Sequence, residues 1–277
     1  MPVMSRRALL GNAALLASPI AFVPPACAQA QAPASTTFTP QSGQAGKDVV
    51  WVPTPQALVD RMLDMAGLRP DDYLIDLGSG DGRTVITAAK RGTPSLGIEY
   101  NPEMVKLSQA AAEKEGVAAK ARFVQGDIFE SDFSKATVVT LFLLPGLNLR
   151  LRPILLDMKP GTRVVSNTFT MGEWVEDAKI SAGGDCTAYC NAFLWIIPAK
   201  VEGAWKLPQG ELRLTQIFQM LRGTVTLDGR EVAIENGRMN GEAIAFTAAG
   251  RAYTGRVQGN SMTLAADGQA LTATRAP

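Results

Sequence analysis

The 277-residue sequence contains no histidine, only three cysteines, and few aromatic residues, which make up 6% of the chain. Histidine and cysteine are the usual protein ligands of zinc, so a metal site of that type is not expected. The 27 basic and 26 acidic residues nearly cancel, and nothing in this balance indicates nucleic-acid binding. The length suits one large domain or two unequal ones, with enough residues for a sizeable core.

Long apolar runs are also missing, except for one in the first thirty residues. It follows the pair Arg6-Arg7 and precedes Ala28-Gln29-Ala30, which has the small-x-small pattern of a cleavage site. The run is shorter than the ~20 residues that a membrane span needs. We therefore expect residues 1–30 to be a twin-arginine export signal, and the mature protein to be periplasmic without a transmembrane span. A retained membrane anchor is the alternative.

The three cysteines differ in what their positions imply. Cys27 falls within the expected signal, and its sequence context makes a poor lipoprotein site. Cys186 and Cys190 lie close together and could form a disulfide in an oxidising compartment. Two buried free thiols fit the sequence equally well.

The chain is organised around a glycine-rich loop that follows a short apolar run. Tyr73 to Ile75 predict a buried strand, Asp76 ends it, and alternating glycines follow in Gly78-Ser79-Gly80-Asp81-Gly82. Glycines at a strand-to-helix turn allow positive φ and let the backbone approach a ligand closely. A dinucleotide-binding loop would need its third glycine at the position of Arg83, so the spacing disfavours that alternative.

Strand-like and helix-like segments alternate from Val49 to about residue 174, and the strands are apolar without polar alternation. This pattern predicts an α/β fold with a Rossmann-like, mostly parallel sheet that is covered on both faces. Residues 174–180 and 192–198 predict an antiparallel hairpin at one edge of that sheet. At the first helix we expect Thr54 to be the N-cap and Pro55 the first helical residue.

The pattern changes near Gly203, where short alternating runs separated by glycine-containing turns begin. Asn236-Gly237, Asn240-Gly241 and Asp267-Gly268 are signals of β-hairpins. They predict a small antiparallel β-module of the β-meander type. The expected organisation is a signal peptide over 1–30, a flexible leader over 31–48, the α/β domain over 49–200 and the β-module over 201–277.

Three successive predicted strands end in an acid, at Asp76, Glu99 and Asp127. The carboxyl ends of parallel strands lie at the sheet edge where ligands bind, so these acids are expected to share one site. Glu99 lies near the offset at which an acid meets ribose hydroxyls in related nucleotide folds. Asp127 can accept a hydrogen bond from an exocyclic adenine amine, so the set indicates a nucleoside ligand.

The acid, the alternating glycines and the two downstream acids together resemble the class I S-adenosylmethionine (SAM) dependent methyltransferases over residues 49–174. The resemblance implies SAM as the cosubstrate, no metal, and methyl transfer as the reaction. It implies the following cofactor-binding residues: Asp76, Gly78, Ser79, Gly80, Glu99, Asn101, Asp127 and Ile128.

Within that superfamily, Trp51-Val52-Pro53-Thr54-Pro55 and Phe142-Leu143-Leu144-Pro145 resemble one group more closely. This group comprises the mitochondrial protein-lysine methyltransferases that act on ATP synthase and on the adenine nucleotide translocase. The resemblance implies a protein lysine as methyl acceptor, with Leu144 and Pro145 in the wall of the acceptor pocket. An apolar wall would help the lysine lose its proton, because desolvation lowers the pKa of an amine. Those enzymes have a membrane segment and no β-module, unlike the expectation for this chain.

Two other functions remain open, an exported protein that binds SAM or another nucleoside without catalysis and an NAD-dependent oxidoreductase. Export also separates the protein from the cytoplasm, where SAM is made. The protein either acts before or without export, receives SAM in its compartment, or has kept the fold and lost turnover.

Overall fold

In the computed structural model the chain forms a seven-stranded sheet with flanking helices, followed by an eight-stranded barrel. The structure describes residues 38–184, 186–208, 210–227 and 229–276, so the expected signal lies outside the described residues. The helices are α1 (Gln56–Met65), α2 (Arg83–Lys90), α3 (Pro102–Lys114) and α4 (Pro145–Leu156). The sheet strands are β1 (Leu74–Leu77), β2 (Ser95–Glu99), β3 (Ala121–Gln125), β4 (Val138–Leu141), β5 (Arg163–Asn167), β6 (Ala178–Ser181) and β7 (Asn191–Ile196).

The sheet has the order β3-β2-β1-β4-β5-β7-β6. The first five strands are parallel, and β7 runs antiparallel between β5 and β6. The predicted Rossmann-like sheet with an antiparallel edge hairpin is therefore confirmed. The chain leaves β3 at one edge and returns as β4 on the far side of β1. In open α/β sheets this reversal of strand order marks where ligands bind, beyond the carboxyl ends of the strands.

Helix α1 buries its apolar stripe as the helical spacing predicts, with Leu58 and Leu63 fully inaccessible to solvent. The predicted cap is wrong, however, because Pro55 occupies the N-cap and no side chain caps the helix. The hydroxyl of Thr54 instead accepts a hydrogen bond from Asn167 Nδ2 at 3.1 Å. Thr54 thus fixes the entry of α1 to the end of β5, a tertiary contact that local sequence rules do not detect.

The barrel consists of eight antiparallel strands around an apolar interior that includes Trp205, Met239 and Met262. Its strands are β8 (Gly203–Leu207), β9 (Gly210–Ile217), β10 (Met220–Leu227), β11 (Arg230–Asn240), β12 (Ala243–Ala248), β13 (Arg251–Gln258), β14 (Ser261–Ala266) and β15 (Gln269–Arg275). They follow one another as the predicted meander requires, and the ring closes because β15 also pairs with β8. Closure leaves the module without an unpaired sheet edge among its described strands.

The hairpin signals of the barrel have mixed outcomes. Asp267-Gly268 forms the turn between β14 and β15, with positive φ at both residues. Asn236-Gly237 was expected to be a hairpin and is instead a bulge inside the long strand β11. Asn236 has a φ of 53°, and the register of β11 shifts there against both of its neighbours. The same residues suit a bulge because it too can need a left-handed residue.

The barrel is joined to the antiparallel edge of the sheet by specific contacts. Phe218, between β9 and β10, stacks on Trp174 with ring centroids 5.8 Å apart. Arg238 of β11 forms an ion pair with Asp177 at 2.5 Å, and the Asp177 side chain is largely buried. Aromatic packing and a shielded ion pair together hold the barrel against the sheet.

Candidate active site

A cavity of about 180 Å³ lies beyond the carboxyl ends of β1, β2 and β4, where the strand order reverses. All eight sequence-predicted cofactor residues line it, and so does Leu144. Pro145 does not, because it turns away to begin α4. No residue of the described part of the barrel contributes to the lining.

The glycine loop keeps its backbone donors inside the protein. The N–H groups of Gly78 and Ser79 both donate to the carbonyl of Ile98, at 2.9 and 3.1 Å. The N–H of Gly80 donates to Glu99 Oε2 at 2.9 Å. A phosphate-binding loop works by pointing free N–H groups at its ligand. This loop therefore does not suit a pyrophosphate, which argues against the NAD-dependent alternative.

Gly80 is required by a close contact with an indole ring. Its φ is 54°, and a Cβ built on it would lie 2.5 Å from Trp51 Nε1. Trp51 is held over the loop by a short hairpin, in which Gly43 N–H donates to the Trp51 carbonyl at 2.8 Å and Trp51 N–H donates to Gln44 at 2.9 Å. The described end of the predicted leader thus folds back and covers the cavity, whereas residues 31–37 lie outside the described part.

Asp76 is the most deeply buried acid of the cavity, with only 6% of its surface exposed. Its Oδ1 accepts a hydrogen bond from Thr140 Oγ1, on the neighbouring strand β4, at 2.6 Å. Burial raises the pKa of Asp76 to about 7, and the nearby carboxylates of Glu99 and Asp81 add to the effect. A cation bound beside this carboxylate would favour its charged form.

Glu99 ties the glycine loop to the start of α3. Besides the bond from Gly80, its Oε1 accepts a hydrogen bond from Asn101 N–H at 2.9 Å. Asn101 in turn caps α3 through its side chain, which accepts from Glu103 N–H at 2.9 Å, so the predicted cap is confirmed. Each carboxylate oxygen of Glu99 keeps a second lone pair that can accept a ribose hydroxyl.

Asp127 already has partners on both carboxylate oxygens. Its Oδ1 accepts from Phe129 N–H at 2.9 Å, and its Oδ2 forms an ion pair with Lys47 of the covering hairpin. The hydrogen bond from Lys47, followed by that from Phe129, holds the pKa of Asp127 below its usual range. Ile128 lies beside it in the cavity wall, so an adenine ring here would meet one acid and one apolar side chain.

The other end of the cavity is walled by apolar and aromatic side chains that follow β4 and β5. Phe142, Leu143 and Leu144 come directly after β4, while Phe169 and Tyr189 come from more distant segments. The sequence predicted the Leu144 position but missed Phe169 and Tyr189. Neither residue belongs to a motif, and only the fold brings these segments together.

Tyr189 owes its place to a disulfide. Cys186 and Cys190 are bonded, with their Cα atoms 5.8 Å apart, so the paired alternative is the one observed. The short loop that they close carries Tyr189 in a left-handed conformation with a φ of 55°. Left-handed backbone is uncommon for a tyrosine and needs such support from its surroundings.

The cavity fits SAM by charge and by shape. Two basic residues line it, and each is paired with an acid, Lys47 with Asp127 and Arg83 with Asp81. Asp76 and Glu99 have no basic partner among the described ion pairs, so they favour a ligand with cationic groups such as an ammonium and a sulfonium. The described residues contain no cluster of three or more potential metal ligands, and none of the described helices is long and apolar enough to span a membrane.

Comparisons with known proteins identify the family of this site. The family model of the ANTKMT methyltransferase domain matches residues 76–178. A protein-lysine N-methyltransferase of Saccharolobus islandicus is 48% identical over 129 residues, which are 46% of this chain and 80% of that protein. A rat lysine N-methyltransferase named for ATP synthase is 35% identical over 136 residues, which span 49% of this chain and 62% of that enzyme.

A solved structure is also similar to this chain. It is the crystal structure of an RNA methyltransferase from Salinibacter ruber in complex with S-adenosyl-L-homocysteine, with 47% identity and a TM-score of 0.51. The match covers 54% of this chain and 96% of that protein, so the barrel has no counterpart in it. The cavity geometry and these relationships agree: the chain belongs to the ANTKMT methyltransferase-domain family and is a SAM-dependent methyltransferase.

Proposed function

We propose that this enzyme transfers the methyl group of SAM to the side-chain amine of a protein lysine. The observation that carries the proposal is the composition of the cavity, which is acidic at the cofactor end and aromatic and apolar at the other. Acids attract a lysine ammonium, and an apolar surrounding then favours its neutral, nucleophilic form. The names of the Saccharolobus islandicus and rat relatives agree with this acceptor.

Bound SAM would supply an already activated methyl group on its sulfonium. The protein then has to align the acceptor nitrogen with that group and exclude water. The covering hairpin, with Trp51 over Gly80, excludes water from the cofactor end. Leu143 and Leu144 form the apolar surface along which the lysine side chain would enter. No imidazole is needed, because a desolvated lysine can release its proton to solvent before it enters.

An RNA acceptor is the competing function, since the Salinibacter ruber relative is named an RNA methyltransferase. An RNA-binding surface needs free cationic side chains to neutralise phosphates. Lys47 and Arg83, the basic residues of the cavity lining, are both engaged by acids. The charge of the site therefore favours a cationic acceptor over a polyanion.

The test offers the purified enzyme equal masses of a protein extract and an RNA extract with methyl-labelled SAM. We expect the label in protein lysines, and none with the Asp76→Ala variant. A Leu144→Asp variant should keep its affinity for S-adenosylhomocysteine while losing at least about tenfold in labelling, because a charge in the acceptor wall would be desolvated. Label found in RNA and not in protein would overturn the proposal.

We further propose that residues 1–30 direct export by the twin-arginine route and that the enzyme is periplasmic. The Cys186–Cys190 disulfide supports this, because disulfides persist in oxidising compartments. Fractionation of cells that express the full chain tests it. We expect the protein in the periplasm, and retention in the cytoplasm when Arg6 and Arg7 are both replaced by lysine. Export that is unaffected by these substitutions would contradict the assignment.

A further inference from the structure

We propose that Phe142, Phe169 and Tyr189 form an aromatic binding site for an alkylated ammonium group, with Tyr189 as its specificity-determining member. This inference rests on the proposed lysine acceptor and specifies how the acceptor nitrogen is recognised. The chemical class of ligand is a primary to quaternary alkylammonium, to which a lysine side chain and its methylated forms belong.

The three rings form one continuous cluster at the acceptor end of the cavity. The centroids of Phe142 and Tyr189 are 5.1 Å apart with the rings edge to face, and those of Phe142 and Phe169 are 6.1 Å apart. Phe169 and Tyr189 close the triangle at 6.5 Å. An ammonium group within about 6 Å of a ring centroid is attracted by the negative face of the ring. Several rings around one point add their attraction, as in known aromatic cages for methylated lysine.

Two of the rings are held in place by their own structural devices. Phe169 follows Thr168, whose φ of 62° is unusual for a β-branched residue. Its carbonyl is fixed by a hydrogen bond from Ser166 Oγ at 2.7 Å. Tyr189 is fixed by the disulfide loop, also with positive φ. Two unfavourable backbone conformations beside one cluster indicate that ring placement is functional.

The cluster is available to a cation from outside the protein. Tyr189 is 42% exposed, so the rings border the mouth of the cavity. The cation–π contacts of the described residues use four other rings, those of Tyr100, Phe129, Trp205 and Phe218. Within the described part of the chain, the three rings of the cluster thus line the cavity without an internal cation over them.

The test compares a cation with its uncharged copy. The probes are Nα-acetyl-Nε-trimethyl-lysine amide and the isostere in which carbon replaces the quaternary nitrogen, each titrated into the full chain saturated with S-adenosylhomocysteine. We expect the cation to bind about tenfold tighter than the isostere, in line with a partly desolvated cation–π site. Equal binding of the two probes would overturn the inference.

Variants of Tyr189 and of the disulfide separate its role from a purely structural one. Tyr189→Phe keeps the ring and should keep the preference for the cation, whereas Tyr189→Leu should reduce it to within about twofold of unity. The Cys186→Ser/Cys190→Ser variant should behave as Tyr189→Leu does. Affinity for S-adenosylhomocysteine should stay within about twofold in all three. A Tyr189→Leu variant with the original preference would contradict the role of Tyr189.

The two proposals fail in different ways. Label in RNA with the cation preference intact would overturn the lysine acceptor but not the aromatic cation site. Label in protein lysines without any cation preference would overturn the aromatic site and leave the acceptor standing.

Discussion

Glu99 holds the glycine loop closed, since its Oε2 accepts the N–H of Gly80 at 2.9 Å while its Oε1 accepts that of Asn101. One carboxylate thus connects the loop after β1 to the cap of α3, on both sides of the cofactor cavity. The same residue is expected to receive the ribose, so ligand binding and loop geometry depend on a single side chain.

Replacing Glu99 should weaken cofactor binding in two steps. Glu99→Gln keeps one oxygen acceptor and should lower affinity for S-adenosylhomocysteine about tenfold. Glu99→Ala leaves two backbone N–H donors without their acceptor and should lower it at least about a hundredfold, since bonds to a charged group are worth about 1.5–3 kcal/mol each. Calorimetric titration measures both. Equal losses in the two variants would contradict this account of the loop.

The raised pKa of Asp76 predicts a pH dependence. The carboxyl has an ordinary value of 3.8 and a value of about 7 in the fold, so the folded protein holds an extra proton between these limits. The free energy of unfolding without ligand should therefore fall as pH rises from about 4 to 7 and level off above that. Affinity for SAM should rise over the approach to pH 7, because a cationic ligand prefers the ionised form.

Asp76→Asn is the matched variant for that prediction, because the amide oxygen can still accept from Thr140. It should remove the pH dependence and stabilise the ligand-free protein at pH 8 by on the order of 3 kcal/mol. It should also abolish cofactor binding. Thermal unfolding across pH and titration with SAM measure the two effects. A variant less stable than the original protein at pH 8 would show that Asp76 is not a buried charge.

Gly80→Ala tests the contact between the loop and Trp51, with Gly116→Ala as control. Both glycines have positive φ, 54° and 68°, but only Gly80 would bring a Cβ into the indole. Both variants should lose about 1–2 kcal/mol of stability to backbone strain. Gly80→Ala alone should displace Trp51, change the tryptophan fluorescence and lose cofactor affinity. The fluorescence is specific, because the other three tryptophans are fully buried.

Phe218→Ala tests the attachment of the barrel to the sheet. Loss of the ring stacked on Trp174 should lower the free energy of unfolding by about 2–4 kcal/mol. The neighbouring Met220→Ala removes a side chain that is 47% exposed and should change stability by less than about 0.5 kcal/mol. Neither should affect cofactor affinity, as the described part of the barrel does not line the cavity. Reduced cofactor binding in Phe218→Ala would mean that the barrel supports the active site.

Local patterns were enough to predict the sheet and the cofactor end of the site. The run Tyr73 to Ile75, the alternating glycines and the acids at strand ends are each recognised within a few residues, and parallel strands place them together. Asn101 capping α3 is equally local. These features follow from short-range rules, which is why the structure reproduces them.

The errors and omissions arise where distant segments meet. Thr54 fails as a cap because Asn167, far along the chain, uses its hydroxyl. Asn236-Gly237 fits both a hairpin and a bulge, and only the pairing of β11 on both sides decides. Phe169 and Tyr189 reach the cavity through unusual backbone conformations at Thr168 and at Tyr189 itself. Sequence patterns carry no direct signal for any of these.

The measurement that tests the central claim most directly is calorimetric titration of the purified protein with SAM and S-adenosylhomocysteine, alongside Asp76→Ala and Glu99→Ala. The account predicts micromolar binding of both ligands, lost in both variants while their circular dichroism spectra stay those of the folded protein. Folded protein that binds neither ligand, or variants that bind as tightly as the original, would contradict it.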